Sequence, residues 1–378
     1  MTAVYLDHNA TTPVRPEAVR AVADALAETG NPSATHAYGR RARARLETAR
    51  EAVAELVGAQ PNQVAFTAGG TEANALALLG SGRARLLVSA VEHESVLKAR
   101  PDAEIVPVDG DGVIDLDALK RMLATDRRPA QIALMLANNI TGVIQPLAEA
   151  AHIAKQAGAL LHCDAIQAAG KIALDLKALG ADTLALSAHK LGGPQGAGAL
   201  IVAEGVALAP QIRGGGQESN LRSGTEPVPA LAGFGAAAKA ARQGLARFAE
   251  IEPLRDRMEA DIQALSPQTV IFAQSRPRLP NTSAIALKGE RNDQLAMRLD
   301  LAGVMVSAGA ACAAGKIAKG HVLAAMGVEP ELAQGSLRLT LGWTTTLAEI
   351  EFFRNAWADL ISGLANRHSS TKIDADAA

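Results

Sequence analysis

The chain contains 378 residues, which is enough for two domains or for one large α/β domain with a smaller partner. Its 37 basic and 39 acidic residues nearly balance and only 3% of residues are aromatic, so the composition argues against a nucleic-acid partner. The two cysteines, Cys163 and Cys312, are too few for a disulfide framework and favour a reducing compartment. Because we find neither a secretory signal nor an apolar run long enough to span a bilayer, we expect a cytoplasmic protein with no membrane contact.

Strand and helix patterns alternate over the first 200 residues. Helices are predicted at residues 16–28, 38–57, 71–79, 115–124 and 147–157. Strands are predicted at residues 64–66, 86–88, 105–106, 132–136, 160–161 and 183–186. This alternation is typical of a mainly parallel sheet covered by helices on both faces, with residues 199–202 as one more strand that could be antiparallel.

The sequence texture changes near residue 250. A helix at 253–265, a strand at 284–287 and a helix at 293–301 indicate a smaller α+β unit. We therefore expect the following division of the chain: a large domain at 14–250, a small domain built from 1–13 and 251–365, and a frayed tail at 366–378.

A lysine follows the last predicted strand of the parallel sheet. Lys190 lies in the segment SAHKLGGP at residues 187–194, directly after an apolar strand. Asp164 ends the preceding strand, and Gln167 follows it by three residues. The carboxyl ends of parallel strands are where open α/β sheets place their chemistry. A lysine for an aldehyde and an acid for a pyridinium nitrogen are two of the three groups that pyridoxal phosphate requires.

The third group is a phosphate site, and a glycine-rich turn offers one. Residues 66–72 join a strand to a helix through Gly69 and Gly70, and Thr71 adds a hydroxyl group. A helix N-terminus presents unpaired amides and the positive end of a dipole, which suits a phosphate. The same residues are also compatible with an ordinary N-cap.

Three further sites admit two interpretations each. His93 lies between two glutamates after a strand, and it is either a ring that stacks on a flat cofactor or a surface histidine. Asn139 lies in a segment that could be only a turn. The segment His162–Cys163–Asp164 invites a metal interpretation, which we set aside because alternation along a strand sends Cys163 to the opposite face.

Cys312 and Arg338 complete the candidates. Cys312 lies in a run of very small residues at 306–315 with lysines nearby, which favours an accessible thiolate, although a buried structural cysteine would also fit. Arg338 lies at the centre of an apolar strand, so it needs a partner. A substrate carboxylate or a structural salt bridge would satisfy it equally.

Ordered motifs then connect these sites to a known family. They are YLDHNATTP at 5–13, GNPSATH at 30–36, GGTE at 69–72, EH at 92–93, DAIQAAGK at 164–171, SAHK at 187–190 and RSGT at 222–225. With them the chain resembles the cysteine desulfurases of the NifS/IscS type, from residue 5 to about residue 349. The resemblance implies the α/β fold of the fold-type I pyridoxal phosphate transferases: a large domain with a mainly parallel mixed sheet and a smaller α+β domain that carries the cysteine loop.

The resemblance also implies roles for individual residues. Lys190 would bind pyridoxal 5'-phosphate covalently, His93 would stack on its ring, and Asp164 would pair with the ring nitrogen. The other implied cofactor contacts are Asn139 and Gln167 at the phenolic oxygen, Gly70, Thr71, Ser187 and His189 at the phosphate, and Thr225 from the second subunit of a homodimer. Arg338, with Asn139 nearby, would bind the substrate carboxylate.

The implied reaction converts L-cysteine to L-alanine. Lys190 would remove the α-proton, His93 would shuttle protons, and Cys312 would take the sulfur as a persulfide. The sulfur would then pass to an acceptor protein such as an iron–sulfur cluster scaffold. A selenocysteine lyase, another fold-type I enzyme such as an aminotransferase, and a sulfur-transfer scaffold with weakened catalysis are the alternatives.

The chain departs from the family pattern at two places. Ile140 and Thr141 follow the paired asparagines, where an acid and an isoleucine are common. Alanines surround Cys312 where hydroxyl residues are common, while its spacing to residues 321–323 resembles that of the longer-loop subgroup, whose mobile cysteine serves a scaffold partner.

Overall fold

The computed structural model describes residues 3–308 and 320–376, with side chains up to residue 365. The chain divides into two units. The larger unit contains Thr11–Asn139 and Val143–Ala246. The smaller unit contains Met1–Ala10, Ile140–Gly142 and Arg247–Ala378, so the chain enters it three times.

Strands and helices are numbered along the described residues. The strands are β1 (Val4–Tyr5), β2 (Val64–Thr67), β3 (Arg85–Ser89), β4 (Glu104–Val106), β5 (Ala130–Met135), β6 (Leu160–Asp164), β7 (Thr183–Ser187), β8 (Gly198–Val202), β9 (Val270–Ile271), β10 (Thr282–Ala286), β11 (Val304–Met305), β12 (Ser307–Ala308) and β13 (Ser336–Thr340). The helices are α1 (Pro16–Leu26), α2 (Ala37–Leu56), α3 (Gly70–Gly80), α4 (Glu94–Leu97), α5 (Leu116–Thr125), α6 (Leu147–Ala157), α7 (Leu176–Leu179), α8 (Val228–Gln243), α9 (Leu245–Ala249), α10 (Glu252–Leu265), α11 (Asn292–Leu301), α12 (His321–Ala325), α13 (Pro330–Gln334) and α14 (Leu347–Asp376).

The larger unit is built on a seven-stranded sheet in the order β2-β8-β7-β6-β5-β3-β4. The strands from β7 to β4 are parallel, whereas β8 is antiparallel to both of its neighbours. The sequence-based expectation of a mainly parallel sheet with an antiparallel strand at residues 199–202 is thus confirmed. In register, Asp164 lies beside Met135 of β5 and Ala185 of β7. This register places the ends of the central strands at one edge of the sheet.

Helix α3 packs on this sheet through small and aliphatic residues. Leu76 contributes to a buried cluster with Ala185 of β7 and Leu200 of β8. Burying one such leucine contributes about 1.5–3 kcal/mol. At the start of the helix, a Cβ on Gly198 would lie 2.6 Å from the Gly69 carbonyl carbon. The absence of a side chain at Gly198 therefore lets the first turn of α3 approach the sheet edge.

Helix α8 was not predicted from the sequence. It packs against α1 and α2, and two of its glycines are contact points. A Cβ on Gly235 would lie 2.5 Å from Ala49 Cα, and one on Gly233 would lie 2.6 Å from Val22 Cγ2. Glycine lowers helix propensity by about 1 kcal/mol relative to alanine, so the residues that allow this close packing also hide the helix from local analysis.

The smaller unit contains an antiparallel sheet in the order β12-β13-β10-β9 and a parallel pair of β1 with β11. Its core includes Phe353 and Trp357 of α14, which stack with ring centroids 6.0 Å apart. Helix α14 continues to Asp376, so most of the range predicted as a frayed tail is helical. Among the helices of the described residues, none combines the length and apolarity that a membrane crossing requires.

Candidate active site

Two neighbouring strands of the larger unit end in candidate site residues. Asp164 is the last residue of β6 and Ser187 is the last residue of β7. A 3₁₀ turn, Ala188–Lys190, follows β7 directly, as expected for a lysine at a strand end. Burial raises the pKa of the Asp164 carboxyl, while hydrogen bonds from Asn74 and Ile166 and the positive charge of Lys190 act to lower it. Lys190 is therefore electrostatically coupled to the carboxyl group at the end of the next strand.

A cleft of about 570 Å³ lies at the start of α3. Its lining includes four of the predicted phosphate-binding residues: Gly70, Thr71, Ser187 and His189. A Cβ on Gly70 would overlap Ile166 Cδ1, so a larger residue here would displace the end of that side chain. Burial, with a smaller contribution from Lys190, lowers the pKa of His189 to about 4, so its ring is neutral at pH 7.

These residues fit the phosphate of pyridoxal phosphate. The first turn of α3 offers backbone N–H groups, and the hydroxyl groups of Thr71 and Ser187 add further donors. The cleft volume also lies within the usual range for a site that holds a small molecule. His93, Asp164 and Lys190, the residues predicted to contact the cofactor ring, do not line this cleft. The cleft therefore corresponds to the phosphate end of the predicted cofactor site.

Asp164 is held by neutral hydrogen-bond donors. Asn74 Nδ2 donates to its Oδ2 at 2.9 Å, and the Ile166 N–H donates to its Oδ1 at 3.0 Å. The Asp164 side chain is nearly inaccessible, with 5% exposed. A buried carboxylate with neutral donors favours a cation at its remaining acceptor positions, and a pyridinium N–H is such a group. The chemistry of this site therefore fits the cofactor ring as well.

Asn74 links Asp164 to two histidines. Its Nδ2 also donates to Ser95 Oγ at 2.9 Å, and its Oδ1 lies 2.9 Å from His162 Nε2. Ser95 Oγ in turn lies 2.8 Å from His93 Nδ1. Sequence reasoning missed Asn74 and Ser95. The available signal was position, because Asn74 lies one turn after Gly70 on the helix that begins at the phosphate cradle.

The metal interpretation of residues 162–164 finds no support in these contacts. Both ring nitrogens of His162 have partners, since Nδ1 lies 2.9 Å from Thr183 Oγ1. Burial lowers the pKa of His162 to about 3, so the ring is neutral. Across residues 3–308 and 320–376 we find no group of histidine, cysteine and carboxylate side chains arranged to hold a metal ion.

Buried polar contacts also support the turns that carry His93 and Asn139. Glu92 is fully buried, and its Oε1 accepts hydrogen bonds from the Met135 N–H at 2.7 Å and from Ser89 Oγ at 3.0 Å. Burial raises the pKa of Glu92 well above its usual range. Asn138 Nδ2 donates to the Val91 carbonyl at 3.0 Å. These bonds join the end of β3 to the end of β5.

The remaining predicted residues lie in different surroundings. Gln167 is buried and its Oε1 accepts from Lys171 Nζ at 2.8 Å, whereas Thr225 is exposed and does not line the cleft. Cys312 lies outside the described residues.

Arg338 belongs to the smaller unit, on β13. Only 2% of it is exposed, and its Nη2 donates to Asp7 Oδ1 at 2.6 Å and to Ser307 Oγ at 3.0 Å. The structural salt bridge that the sequence left open is therefore present. It engages one of the nitrogens of a group with five N–H donors.

Nearly the whole chain is similar to proteins of one known family. The family model for class-V aminotransferases matches residues 4–353. A cysteine desulfurase of Cereibacter sphaeroides is 42% identical over 366 residues, covering 93% of this chain and 94% of that protein. The cysteine desulfurase IscS of Dictyoglomus turgidum is 38% identical over 364 residues, covering 92% of each chain. Among solved structures, a NifS-like protein of Rickettsia africae matches with a TM-score of 0.89 at 34% identity, covering 95% of this chain and 99% of that one.

Proposed function

Because the chain belongs to the class-V aminotransferase family and is a pyridoxal phosphate-dependent cysteine desulfurase, we propose that its catalytic centre is built around the ends of β6 and β7. The observation that carries this proposal is the buried Asp164 carboxylate, held by neutral donors and electrostatically coupled to Lys190. In this assignment the larger unit is the cofactor-binding domain.

Each part of the cofactor has a complementary group in the larger unit. The first turn of α3, with Gly70 and Thr71, holds the phosphate together with Ser187 and His189. Asp164 would accept the N–H of the ring, His93 would lie against the ring, and Gln167 and Asn139 would support the phenolic oxygen. Lys190 Nζ would hold the aldehyde. When bound, the cofactor supplies an electron sink for the charge left on the substrate after proton removal.

Side chains of this chain carry the remaining steps. Arg338 binds the carboxylate of L-cysteine, and Asp7 and Ser307 orient its guanidinium group. Lys190 Nζ takes the α-proton, and His93 passes protons to and from the substrate. The Cys312 thiolate attacks the substrate sulfur, so that the substrate C–S bond breaks and an S–S bond forms. Overall, L-cysteine and the Cys312 thiol give L-alanine and a Cys312 persulfide, which needs no outside oxidant.

The assembly and the sulfur acceptor are the finer parts of the proposal. The enzyme is a cytoplasmic homodimer in which the exposed Thr225 of one protomer completes the phosphate site of its partner. Exposure of Thr225 on the loop after Ser223 supports this role. The persulfide sulfur passes to an acceptor protein, with an iron–sulfur cluster scaffold as the proposed recipient.

The test is turnover of L-cysteine by the parent protein and by two cysteine variants. Alanine and sulfide are measured under reducing conditions, with visible absorbance as the record of bound cofactor. Cys312→Ala should keep the absorbance and lose turnover. Cys163→Ala is the matched control, because Cys163 is the buried thiol on β6, and it should retain turnover.

The outcomes separate the parts of the proposal. Full activity in Cys312→Ala would show that the thiol role is wrong and would favour a lyase reaction without a persulfide. A parent protein that neither binds the cofactor nor reacts would overturn the catalytic assignment.

A further inference from the structure

A continuous line of hydrogen bonds lies behind His93 in the larger unit. We call it the polar chain, and its members in order are Thr183, His162, Asn74, Ser95 and His93. Asp164 joins it as a branch at Asn74. Each link measures 2.8–2.9 Å between heavy atoms, and the first three members are at most 1% exposed. Buried groups at these distances have defined donor and acceptor roles.

The donor and acceptor roles along the polar chain are set at Asn74. The Asp164 carboxylate can only accept, so the Asn74 atom 2.9 Å from it is the amide nitrogen. That nitrogen has two hydrogens, and the second is directed at Ser95 Oγ. The Asn74 oxygen then faces His162 Nε2 and must accept from it. The amide of Asn74 thus has a single orientation that satisfies all three contacts.

His162 agrees with that orientation. Its Nε2 donates to Asn74, so a neutral ring carries no proton on Nδ1, which accepts from the Thr183 hydroxyl. Thr183 and His162 are register partners on β7 and β6, which fixes this contact by strand pairing. Burial keeps the ring neutral, because it lowers the pKa of His162 to about 3.

At its other end, the polar chain forms a hydrogen bond to His93. Ser95 Oγ accepts from Asn74, so its single hydrogen is available for His93 Nδ1 at 2.8 Å. The Ser95 backbone N–H also donates to His93 Nδ1, at 3.1 Å. A ring nitrogen that accepts two hydrogen bonds carries no proton of its own.

We propose that Asn74 and Ser95 are positioning residues that hold His93 in the tautomer with its proton on Nε2, so that Nε2 presents a hydrogen-bond donor to the cofactor and substrate. This inference rests on the proposed function, in which His93 serves the cofactor and Lys190 takes the α-proton. It separates the roles of the two residues: Lys190 accepts the α-proton, whereas Nε2 of His93 already carries a proton and therefore donates a hydrogen bond. The charged groups near His93 are Glu92 and Glu94, its neighbours in sequence, and Asp164, whose carboxyl group interacts with it electrostatically.

The direct test is the tautomer of His93 in the cofactor-bound protein. The chain has eight histidines, so ¹⁵N-histidine labelling with a His93→Gln variant for assignment isolates the two ring nitrogens of His93. In the parent, the proton should be on Nε2. Ser95→Ala removes one of the two donors to Nδ1 and should give a mixture of tautomers, while Ser95→Thr keeps the hydroxyl group and should restore the parent spectrum.

Kinetics provide the second readout. We expect kcat of Ser95→Ala to fall about tenfold, because the backbone N–H of residue 95 still donates to His93 Nδ1, with KM changed less than about twofold and with rescue by Ser95→Thr. Ser81→Ala is the control, because Ser81 also bonds a backbone N–H and lies at the far end of the helix that carries Asn74.

A proton on Nδ1 of His93 in the parent would overturn the proposal, as would a Ser95→Ala spectrum identical to that of the parent. Neither result depends on turnover. A parent that shows the expected tautomer but forms no alanine would instead overturn the proposed function.

Discussion

Two buried carboxylates of the larger unit have different kinds of hydrogen-bond donor. Glu218 forms a two-pronged ion pair with Arg50, at 2.6 and 2.8 Å, and also accepts the Phe66 N–H at 2.8 Å. Asp164 is equally inaccessible but takes its hydrogen bonds from the neutral amide of Asn74 and the backbone of Ile166.

This difference indicates a structural role for Glu218 and a ligand-binding role for Asp164. The ion pair of Glu218 anchors a turn in which Glu218, Ser219 and Asn220 all have positive φ, at 47°, 56° and 65°. Such a backbone costs about 1–3 kcal/mol per residue, so it persists only where other contacts fix it. Asp164 fixes no strained turn, and burial raises its pKa. A cationic ligand would offset the free-energy cost of burying the Asp164 charge.

The largest expected effect is on the structural carboxylate. Glu218→Gln removes the two-pronged counter-charge of the buried Arg50 guanidinium and leaves Glu47 as its remaining acidic partner, and the free energy of unfolding should fall by about 3–5 kcal/mol. Denaturant unfolding measures this change. Glu47→Gln is the matched control, since Glu47 contacts the same guanidinium at 3.1 Å but is 36% exposed, and it should cost less than about 1 kcal/mol. Equal effects of the two variants would remove the distinction drawn for Glu218.

The next effect is on the binding carboxylate and concerns activity. Asp164→Asn removes the charge that matches the ring N–H, and kcat for L-cysteine should fall about 10²–10³-fold. The melting temperature should not fall, because a poorly compensated buried charge is lost. Asp182→Asn is the control: Asp182 Oδ2 accepts the Leu161 N–H at 2.7 Å at the opposite end of the same strand, and kcat should stay within about twofold. A stability loss without an activity loss in Asp164→Asn would make Asp164 a structural residue like Glu218.

Glu92 extends the comparison to stability at different pH. Burial raises its pKa, opposed by hydrogen bonds from Met135 and Ser89. The folded state therefore favours the protonated form, and stability is lost as the pH rises from the unfolded value of about 4.3 through the folded pKa. Glu92→Gln stays neutral, so it should be more stable than the parent at pH 8, with the gain shrinking toward pH 4.5. Thermal unfolding across this range checks the sign, and a gain that does not vary with pH would contradict it.

The smallest expected effect is on the stability contributed by His162, and its pH dependence is opposite to that of Glu92. Its pKa falls from about 6.5 to about 3 on burial, so its contribution to stability is present above pH 6.5 and is lost as the pH falls toward 3. At pH 5.5 the parent should have lost about 1 kcal/mol that His162→Gln does not lose. The comparison of acid unfolding slopes measures it. Parallel slopes for the two proteins would mean that His162 is not held neutral by the fold.

Local patterns predicted the elements that carry the site. Lys190 and Asp164 could be placed because each follows a short apolar run, and a strand end can be recognised without knowledge of the rest of the chain. The Gly70–Thr71 turn was recognisable because glycine marks a close approach between backbone and ligand.

Residues that act through distant contacts could not be found in this way. Asn74 lies among alanines and leucines in α3, and its partners His162 and Asp164 are 88 and 90 residues away in sequence. The Asp7–Arg338 ion pair spans 331 residues. Helix α8 was missed for a related reason, because Gly233 and Gly235 are explained only by the helices that they contact. Partners of this kind become visible only once the strand order is known.

The pairing of β1 with β11 has a consequence for synthesis on the ribosome. Val4 is the register partner of Val304, so this strand has no partner until 300 further residues have been synthesised, which takes roughly 15–60 s at bacterial and eukaryotic elongation rates. During that interval Val4 and Leu6, both fully buried in the finished protein, remain exposed on the nascent chain. The smaller unit therefore completes its fold only after Val304 has left the ribosome, and chaperones can bind the apolar strand at Val4 throughout this interval.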